Sequence, residues 1–588
     1  MGSLTTSGLS RRRILWGLAL LVLVAFAVFG WQAVSASRAL LDARQTGEKV
    51  QQRIRAGDFD GANRALADLR DQTHRAHDST DGVLWDIGRH APFVGRNIGA
   101  VQTVASVLDT ATRVNAPVAL QLSKAVEDGR FRPKDGRIDL AEIERLTPDV
   151  QRAADSIRDA ADRLSGTEAD RLVFPFNDLV GDLQDQVDGA SSAATATANA
   201  FNLLPDMLGE QEPRNYLLMV QNPAELRATG GLPGSFALLH ADNGRITMGW
   251  QGSPNDLAGP TTPAVTLPKD TLQQYGPSQA VDPRDLNFTP DFPEAAQIAK
   301  AMVERARDVK VDGVVSVDPI ALAGLMRGTG PVTVTNGVTL ATGNVVQALL
   351  NQTYQVLPTQ QRQNDFFETV ARKIFDSVMA GRGDQQQAIR GLATAAGEHR
   401  VLVWSAHDDE EGVLEGTAVS GSITAGSARH PQIGLYINDS TAGKMDYYLQ
   451  YRSAAAAVDC RRGDAQDIRA TMALSSTMPT DFSRLSEWIV GSGQYAPQGT
   501  IAFNLRVYAP AGGEITGLSV DGQPHSITAD MHKGRQVALL PIALAPGQRS
   551  TVTADIRTAP GQSGDGVLSF TPGMVPAPNG VRITSACD

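Results

Sequence analysis

The most apolar stretch of the chain follows Arg11, Arg12 and Arg13 and carries no charge until Arg38. About 20 apolar residues are enough to span a bilayer core of ~30 Å. Lys and Arg stay preferentially on the cytoplasmic side of a span. The pattern therefore predicts a cytoplasmic tail at residues 1–13, a single transmembrane helix at 14–36 and an extracytoplasmic remainder. A cleaved signal peptide ending near residues 34–36 remains an alternative, and it also places the body of the chain outside.

Residues 37–204 have helical periodicity. Leu66 and Leu69 fall on one face with several alanines, while the charged residues fall on the other. A break at residues 90–95 separates this helix from the next, and continuous heptads are absent. We expect an α-helical membrane-proximal region built from helical hairpins.

The pattern changes at residue 205, where short apolar runs alternate with helical segments. Residues 216–220, 235–240 and 245–250 read as strands, with Asn243-Gly244 in a hairpin turn. A helix is predicted at 293–309, followed by a buried strand at 313–317. This alternation predicts an α/β central domain over residues 205–410.

Residues 411–588 contain mostly strand-like runs separated by Gly and Pro turns. A β-rich C-terminal domain, simplest as a β-sandwich, is the expected architecture. The predicted fold class is thus multidomain: an N-terminal transmembrane helix, an α-helical region, an α/β domain and a C-terminal β-sandwich.

The net charge and the two cysteines exclude some classes of function. The net charge of -11 disfavours nucleic acid, whose affinity for proteins comes mainly from Lys and Arg. The two cysteines, Cys460 and Cys587, are too far apart in sequence for a zinc motif. Both lie in the predicted extracytoplasmic C-terminal domain, so we expect a disulfide. Two independent buried thiols remain the alternative.

No metalloprotease, P-loop or dinucleotide motif is present. The candidate binding site is the polar loop after the strand at 216–220, which contains Arg227, Thr229, Gly230 and Gly231. Exposed backbone N–H groups and a guanidinium there would hold a phosphate or carboxylate. The alternative is a structural turn in which Arg227 pairs with a nearby carboxylate.

Long motifs in the ectodomain carry a resemblance to a known family. They are Tyr216–Ser235, Asn287–Pro293, Gly434–Asp439 and Gly443–Tyr448. Together they resemble a bacterial cell-envelope family known as domain of unknown function 4012. The resemblance implies a protein of the bacterial cell envelope and supplies no activity. Together with the span predicted above, it gives the expectation of a single-pass protein of the bacterial cell membrane whose bulk is extracytoplasmic.

The central domain is also similar to the LytR-CpsA-Psr family. The similar segments are Val311–Pro319, Leu322, Leu325, Gly328–Val334, and Arg362 followed by Asp365-Phe366-Phe367. That family transfers glycopolymers from polyprenyl pyrophosphate carriers to peptidoglycan. The resemblance implies a LytR-CpsA-Psr-like fold, a polyprenyl-phosphate-linked glycopolymer as partner and a glycopolymer phosphotransferase activity, which the sequence leaves open.

A pyrophosphate site needs cationic donors and usually carboxylates that hold Mg²⁺. Arg227 and Arg362 are the candidate donors, and Asp256 and Asp291 are the candidate Mg²⁺ ligands. No other cofactor is expected, no catalytic residue can be named, and the oligomeric state stays open. Glu368 stands where the LytR-CpsA-Psr family would have an arginine. This difference motivates the alternative of a non-catalytic envelope scaffold.

Overall fold

A computed structural model describes residues 31–587, apart from positions 33, 34, 36, 37, 40, 41, 44, 55, 93, 175, 260, 335, 336 and 424–427. The chain divides into two compact units. Unit 1 comprises residues 1–131 and 140–204, and unit 2 comprises residues 132–139 and 205–588.

The fold class predicted from the sequence is corrected at its N-terminal element. Among the described residues, the structure contains no helix that combines the length and the apolar character needed to cross a membrane. Most of the predicted span at 14–36 lies outside the described residues. The fold that the structure supports is a multidomain α/β protein with several sheets.

Unit 1 is helical. Residues 45–54 are helical, and the helices that follow are α1 (Phe59–Thr80), α2 (Val83–Gly88), α3 (Gly95–Thr110), α4 (Ala116–Glu127), α5 (Leu140–Ser165) and α6 (Phe176–Met207). A π-helical turn, Ala111–Asn115, joins α3 directly to α4. In α5, Leu146, Val150, Ala154 and Ile157 recur at helical spacing and are buried. They pack against α3, α4 and α6 in the core of the unit.

The first sheet of unit 2 has the strand order β3-β2-β1-β4-β7. Its strands are β1 (Arg214–Asn222), β2 (Leu232–Asp242), β3 (Arg245–Gly252), β4 (Gly313–Val317) and β7 (Val401–Ser405). Asn243 and Gly244 both have positive φ, as the predicted hairpin turn between β2 and β3 requires. β1 and β4 are parallel, and the other pairs are antiparallel. A short ribbon pairs β5 (Val332–Thr333) with β6 (Thr339–Leu340).

Helices lie between and after the strands of this part of unit 2. They are α7 (Pro254–Leu257), α8 (Lys269–Tyr275), α9 (Phe292–Arg307), α10 (Pro319–Thr329), α11 (Val345–Gln347), α12 (Thr353–Val356), α13 (Gln360–Met379), α14 (Gln385–Gly397) and α15 (Asp408–Leu414). A π-helical turn, Ala348–Gln352, connects α11 to α12. α10 starts where its sequence dictates, because Asp318 accepts a hydrogen bond from the Ala321 N–H at 2.7 Å and Pro319 occupies the first turn.

Two further sheets form the C-terminal part of unit 2. Their strand orders are β13-β12-β16-β10-β9 and β14-β15-β11-β8-β17-β18. The strands are β8 (Gln432–Asp439), β9 (Leu449–Arg461), β10 (Ala465–Ser476), β11 (Ile501–Ala511), β12 (Glu514–Val520), β13 (Gln523–Pro524), β14 (Ala529–His532), β15 (Arg535–Leu544), β16 (Arg549–Arg557), β17 (Gly566–Phe570) and β18 (Val581–Ile583), with the helix α16 (Glu487–Val490) between β10 and β11. Apolar residues from both sheets share one core, including Ile437, Leu505 and Val552.

Cys460 and Cys587 form a disulfide in this C-terminal part. Cys460 lies near the end of β9, and the two Cα atoms are 4.9 Å apart. The bond closes a loop between residues separated by 127 positions, and so it ties β9 to the end of the chain.

Candidate functional site

The loop between β1 and β2 holds most of the predicted binding residues, and it is buried throughout. Its backbone donors bind protein groups. The Leu226 N–H donates to Asp446 Oδ2 at 2.7 Å, and the Ala228 N–H donates to Asn438 Oδ1 at 3.0 Å. An anion would have to displace these bonds, so the loop does not offer the open row of N–H groups that the sequence suggested.

Gln221 organises the end of this loop. Its Oε1 accepts from the Gly231 N–H at 2.8 Å, from Thr229 Oγ1 at 3.1 Å and from Asn287 Nδ2 at 3.1 Å. Gly230 has a φ of 140°, which L side chains rarely adopt. The two predicted glycines and Thr229 therefore serve a tight, internally bonded turn.

Gly231 allows a close approach of the backbone. A Cβ atom at this position would lie 2.3 Å from the carbonyl carbon of Asn222. Because that neighbour is backbone, it cannot move aside cheaply. The glycine at 231 is therefore explained by packing within the loop.

Arg227 is buried, and every nitrogen of its guanidinium contacts a protein oxygen. Nη2 lies 3.2 Å from Glu225 Oε1 and 3.6 Å from Asp285 Oδ1. Nε and Nη1 donate to the carbonyl oxygens of Arg284 and Leu226, and the guanidinium lies 4.8 Å from the centre of the Phe288 ring. These contacts match the structural alternative stated for Arg227, because each of its three guanidinium nitrogens has a protein partner.

Lys444 and Glu225 form a second buried ion pair beside Arg227. Burial alone would raise the pKa of Glu225, but the charges of Lys444 and Arg227 outweigh it and lower that pKa below its ordinary value. Burial alone would lower the pKa of Lys444, and Glu225 raises it above the ordinary value. Each partner thus keeps the other charged.

Asp439 and Asp446 complete the charge cluster on the side of the C-terminal sheets. Burial, reinforced by the negative charge of Glu225, raises the pKa of Asp439 to about 6. Burial and the neighbouring Asp439 raise the pKa of Asp446 well above its usual range. One oxygen of Asp446 binds the loop N–H, and its Oδ1 has no hydrogen-bond partner among the described residues. The cluster joins the α/β part of unit 2 to its C-terminal sheets.

The remaining predicted site residues lie in separate environments. Arg362 is exposed in the first turn of α13. Asp256 is exposed and accepts from the Ser253 N–H at 2.7 Å and from Ser253 Oγ at 2.8 Å. Asp291 is buried, with Lys533 Nζ at 2.6 Å from Oδ2. The structure does not bring these three residues and Arg227 to one cleft.

The predicted Mg²⁺ ligands do not fit a cation site. Asp256 caps α7, and Asp291 already neutralises Lys533 and accepts from the Ile423 N–H at 3.1 Å. Within the described part of the chain, no three His, Cys, Asp or Glu side chains gather closely enough to hold a metal ion. We therefore derive no chemistry through Mg²⁺.

A cavity of about 250 Å³ lies beside the charge cluster in unit 2. Much of its apolar lining comes from α10, from the π-helical turn and from α13, and it includes Leu322, Leu349, Leu350, Phe367, Val370 and Ala371. Its polar lining includes Gln221, Asn222, Glu225, Arg284, Gln363, Asn364 and Lys444. Arg227, Arg362, Asp256 and Asp291 are not among its lining residues. The cavity offers an amphipathic environment.

Sequence reasoning missed Lys444 and the apolar lining of this cavity. Lys444 stands in the quoted motif Gly443–Tyr448, and Phe367 stands in the Asp365-Phe366-Phe367 cluster. Both residues therefore stood in motifs that had been singled out. The contact between Lys444 and Glu225 could not be predicted, because the two residues are 219 positions apart in sequence.

The fold and this site together define a multidomain α/β protein with a buried charge cluster next to an amphipathic cavity. Residues 211–354, which run from just before β1 to the middle of α12, match the family model described as "Protein of unknown function (DUF4012)". The family resemblance expected from the sequence is confirmed over this segment. No curated protein matches the chain.

Among solved structures, the chain is similar to the Lin1025 protein from Listeria innocua. The similarity covers 36% of this chain and 80% of that one, at 14% sequence identity and a TM-score of 0.18. At that score the likeness supports no conclusion about fold or function.

Proposed function

We propose that this protein binds the apolar chain of a polyprenyl-phosphate-linked glycopolymer in the cavity of unit 2, as an extracytoplasmic protein of the cell envelope. The amphipathic lining of that cavity carries the proposal. Ligand sites are commonly apolar concavities with a few well-placed polar groups. The volume of about 250 Å³ is just below the ~300 to 1,000 Å³ of sites that enclose a whole ligand. We therefore expect the cavity to take one segment of the chain.

Arg284 is the lining residue best suited to the phosphate end. It is half exposed, and its Nε and Nη2 donate to Asp282. Its Nη1 has no partner among the residues that the structure describes, so this donor can meet a phosphate oxygen. The resemblance of Val311–Pro319 and Gly328–Val334 to the LytR-CpsA-Psr family supports the choice of a polyprenyl carrier. The disulfide supports an oxidising, extracytoplasmic location.

The test is calorimetric titration of the full chain with geranylgeranyl pyrophosphate and, separately, with geranylgeraniol. Ala371→Trp fills the cavity from α13, and we expect binding at least tenfold weaker, which corresponds to ~1.4 kcal/mol. Lys373→Trp is the matched control, because Lys373 is exposed on the same helix and does not line the cavity. Arg284→Gln should weaken the pyrophosphate more than the alcohol.

Equal binding by Ala371→Trp and wild type, with equal melting temperatures, would place the ligand elsewhere. No saturable binding of either ligand would refute the proposal.

A scaffold protein without a lipid ligand is the second candidate. The internal contacts of Arg227 favour it, since the residue expected to bind phosphate instead links the loop to Glu225 and Asp285. Under this reading Arg227→Ala lowers the melting temperature and there is no ligand affinity to lose. The titration above therefore separates the two candidates.

A further inference from the structure

Strand β9 is the longest edge strand in the C-terminal part of unit 2. It is 13 residues long and is the last strand on one side of its sheet, where its hydrogen-bonded neighbour is β10. In the described part of the chain, no backbone hydrogen bond joins residues 450–461 to any other segment. The outer N–H and C=O groups of β9 are therefore available to pair with another strand.

This edge lacks most of the features that keep sheet edges from pairing. Natural edge strands are commonly short, or they carry Lys or Pro. The other edge strands of the two C-terminal sheets are short, since β13, β14 and β18 have two, four and three residues. β9 contains neither Lys nor Pro, and its residues 453–458 read Ser-Ala-Ala-Ala-Ala-Val. Its uncharged middle and small side chains allow a second strand to approach closely.

A β-bulge at Val458 decides which side chains share the exposed face of β9. Asp459 pairs with Asp467 and Ala457 pairs with Ile468, which leaves Val458 without a partner in the ladder. The alternation of side chains therefore resumes one residue later than the numbering suggests. The exposed face carries, in order, Gln450, Arg452, Ala454, Ala456, Asp459 and Arg461.

The charges on this face are complementary to a second copy of the same strand. Two antiparallel copies related by a two-fold axis at Ala455 place Ala454 of one opposite Ala456 of the other. The next exposed residues outward are then Arg452 and Asp459, which lie opposite each other because the bulge removes one position. This pair occurs twice, once on each side of the axis, and opposite charges in such positions stabilise antiparallel strands.

The contacts within one chain leave these charges available. Arg452 has no ion-pair partner among the residues that the structure describes. Asp459 is 54% exposed and lies 3.3 Å from Arg461, which is closer to Asp467 at 2.6 Å. In the paired arrangement Arg461 lies diagonally across from Arg452 of the second copy, and Asp467 offsets this like charge.

We propose that two copies of this protein associate through their β9 strands, antiparallel around a two-fold axis at Ala455, so that their two five-stranded sheets join into one. In strand addition of this kind, main-chain hydrogen bonds give affinity and the side chains give specificity. A two-fold interface uses the same surface on both copies, as this pairing does. The inference does not depend on the ligand proposed for the cavity.

The first test measures how close the two copies come at the axis. Both native cysteines are in the disulfide, so Ala455→Cys gives the full chain a single free thiol. Directly opposite residues of antiparallel strands have Cα atoms about 4.5 or 5.5 Å apart, which is within the range that a disulfide spans. We expect mild oxidation with copper–phenanthroline to link these chains into dimers.

Ala473→Cys is the matched control. Ala473 lies on β10 opposite Arg452, and it is more exposed than Ala455, so random collision would favour the control. Three strand spacings of about 4.8 Å separate the two copies of β10, which places the two thiols at least about 14 Å apart. We therefore expect Ala473→Cys to remain unlinked.

The second test exchanges the charges. Arg452→Asp places aspartates opposite each other, and Asp459→Arg does the same with arginines. Each variant alone should dimerise at least about tenfold more weakly in sedimentation equilibrium, because like charges directly opposite are destabilising. An equimolar mixture restores opposite charges at both pairs, so it should regain the affinity of the wild type.

A full chain that stays monomeric at every concentration tested would overturn the proposal. Dimers that link equally at positions 455 and 473, or that do not link at 455, would assign the contact to another surface. A mixture that binds no more tightly than its two components would refute the register. A strand of a different protein bound to β9 of a monomeric chain would also refute the proposal, because the edge would then serve a foreign partner.

Discussion

The Lys444–Glu225 pair makes the strongest quantitative prediction about unit 2. The two side chains are only 13% and 8% exposed. Lys444→Met removes the charge and keeps much of the apolar stem, which leaves Glu225 with Arg227 as its remaining cationic partner. Breaking a buried ion pair from one side typically costs ~3 to 5 kcal/mol. Because Arg227 remains, we expect the lower end, about 3 kcal/mol, or roughly two decades in the folding equilibrium.

The assay is urea unfolding at neutral pH of the wild type, Lys444→Met, Glu225→Gln and the double variant. The double variant should be less destabilised than the sum of the single variants, with a coupling free energy of about 2 kcal/mol. Arg461→Gln is the exposed control. Arg461 is 52% exposed in its pair with Asp467, so its loss should change the unfolding free energy by no more than ~1 kcal/mol.

Two results would refute this reasoning. One is a Lys444→Met variant that unfolds like the Arg461→Gln control. The other is strict additivity of the two single variants, which would mean that Lys444 and Glu225 do not stabilise each other's charges in the folded protein.

Three further predictions concern other parts of unit 2. Gly231→Ala should destabilise by ~3 kcal/mol or more because its Cβ meets backbone at 2.3 Å, while Gly234→Ala, with its nearest neighbour at 3.6 Å, should stay within ~1 kcal/mol; equal unfolding midpoints would contradict this. Thiol labelling of the unreduced, denatured protein should detect neither Cys460 nor Cys587, and reduction should lower the unfolding free energy by up to about 5 kcal/mol for a loop of this length. Burial raises the pKa of Glu411 to about 7, so the folded state retains a proton that the unfolded state has lost, and stability should fall as the pH rises from about 4.5 to about 7. Glu411→Gln should remove that part of the pH dependence in thermal melts at pH values on either side of this range, and parallel curves for variant and wild type would count against it.

Local patterns predicted the elements whose causes are local. The turn at Asn243-Gly244 follows from the positive φ that these residues accept, and the strand Gly313–Val317 follows from a short buried apolar run. The helix at Phe292–Arg307 begins one residue before the predicted start and ends two residues before the predicted end. The C-terminal end of this helix is set by the next residue, because Asp308 adopts a left-handed conformation that ends the helix.

The candidate site was less predictable because its decisive contacts are distant in sequence. The loop from Thr229 to Gly231 has the composition of an anion-binding turn, yet Gln221 and Asn287 occupy its polar groups. A residue's type shows what it can bind, whereas only the fold shows whether that capacity is already used. Arg227 shows this directly, since its guanidinium chemistry suits phosphate and its actual partners are Glu225 and Asp285.

The loop bonds from Leu226 and Ala228 to Asp446 and Asn438 have a consequence for how this chain can be divided. The segment that matches the family model ends at residue 354, and these two loop partners lie beyond residue 430. A fragment that stopped at residue 410 would expose these buried N–H groups and leave Glu225 without Lys444. The C-terminal sheets therefore complete the polar contacts of a loop inside the matched segment, and a domain exchange between relatives would keep these contacts only if it carried β1 and the C-terminal sheets together.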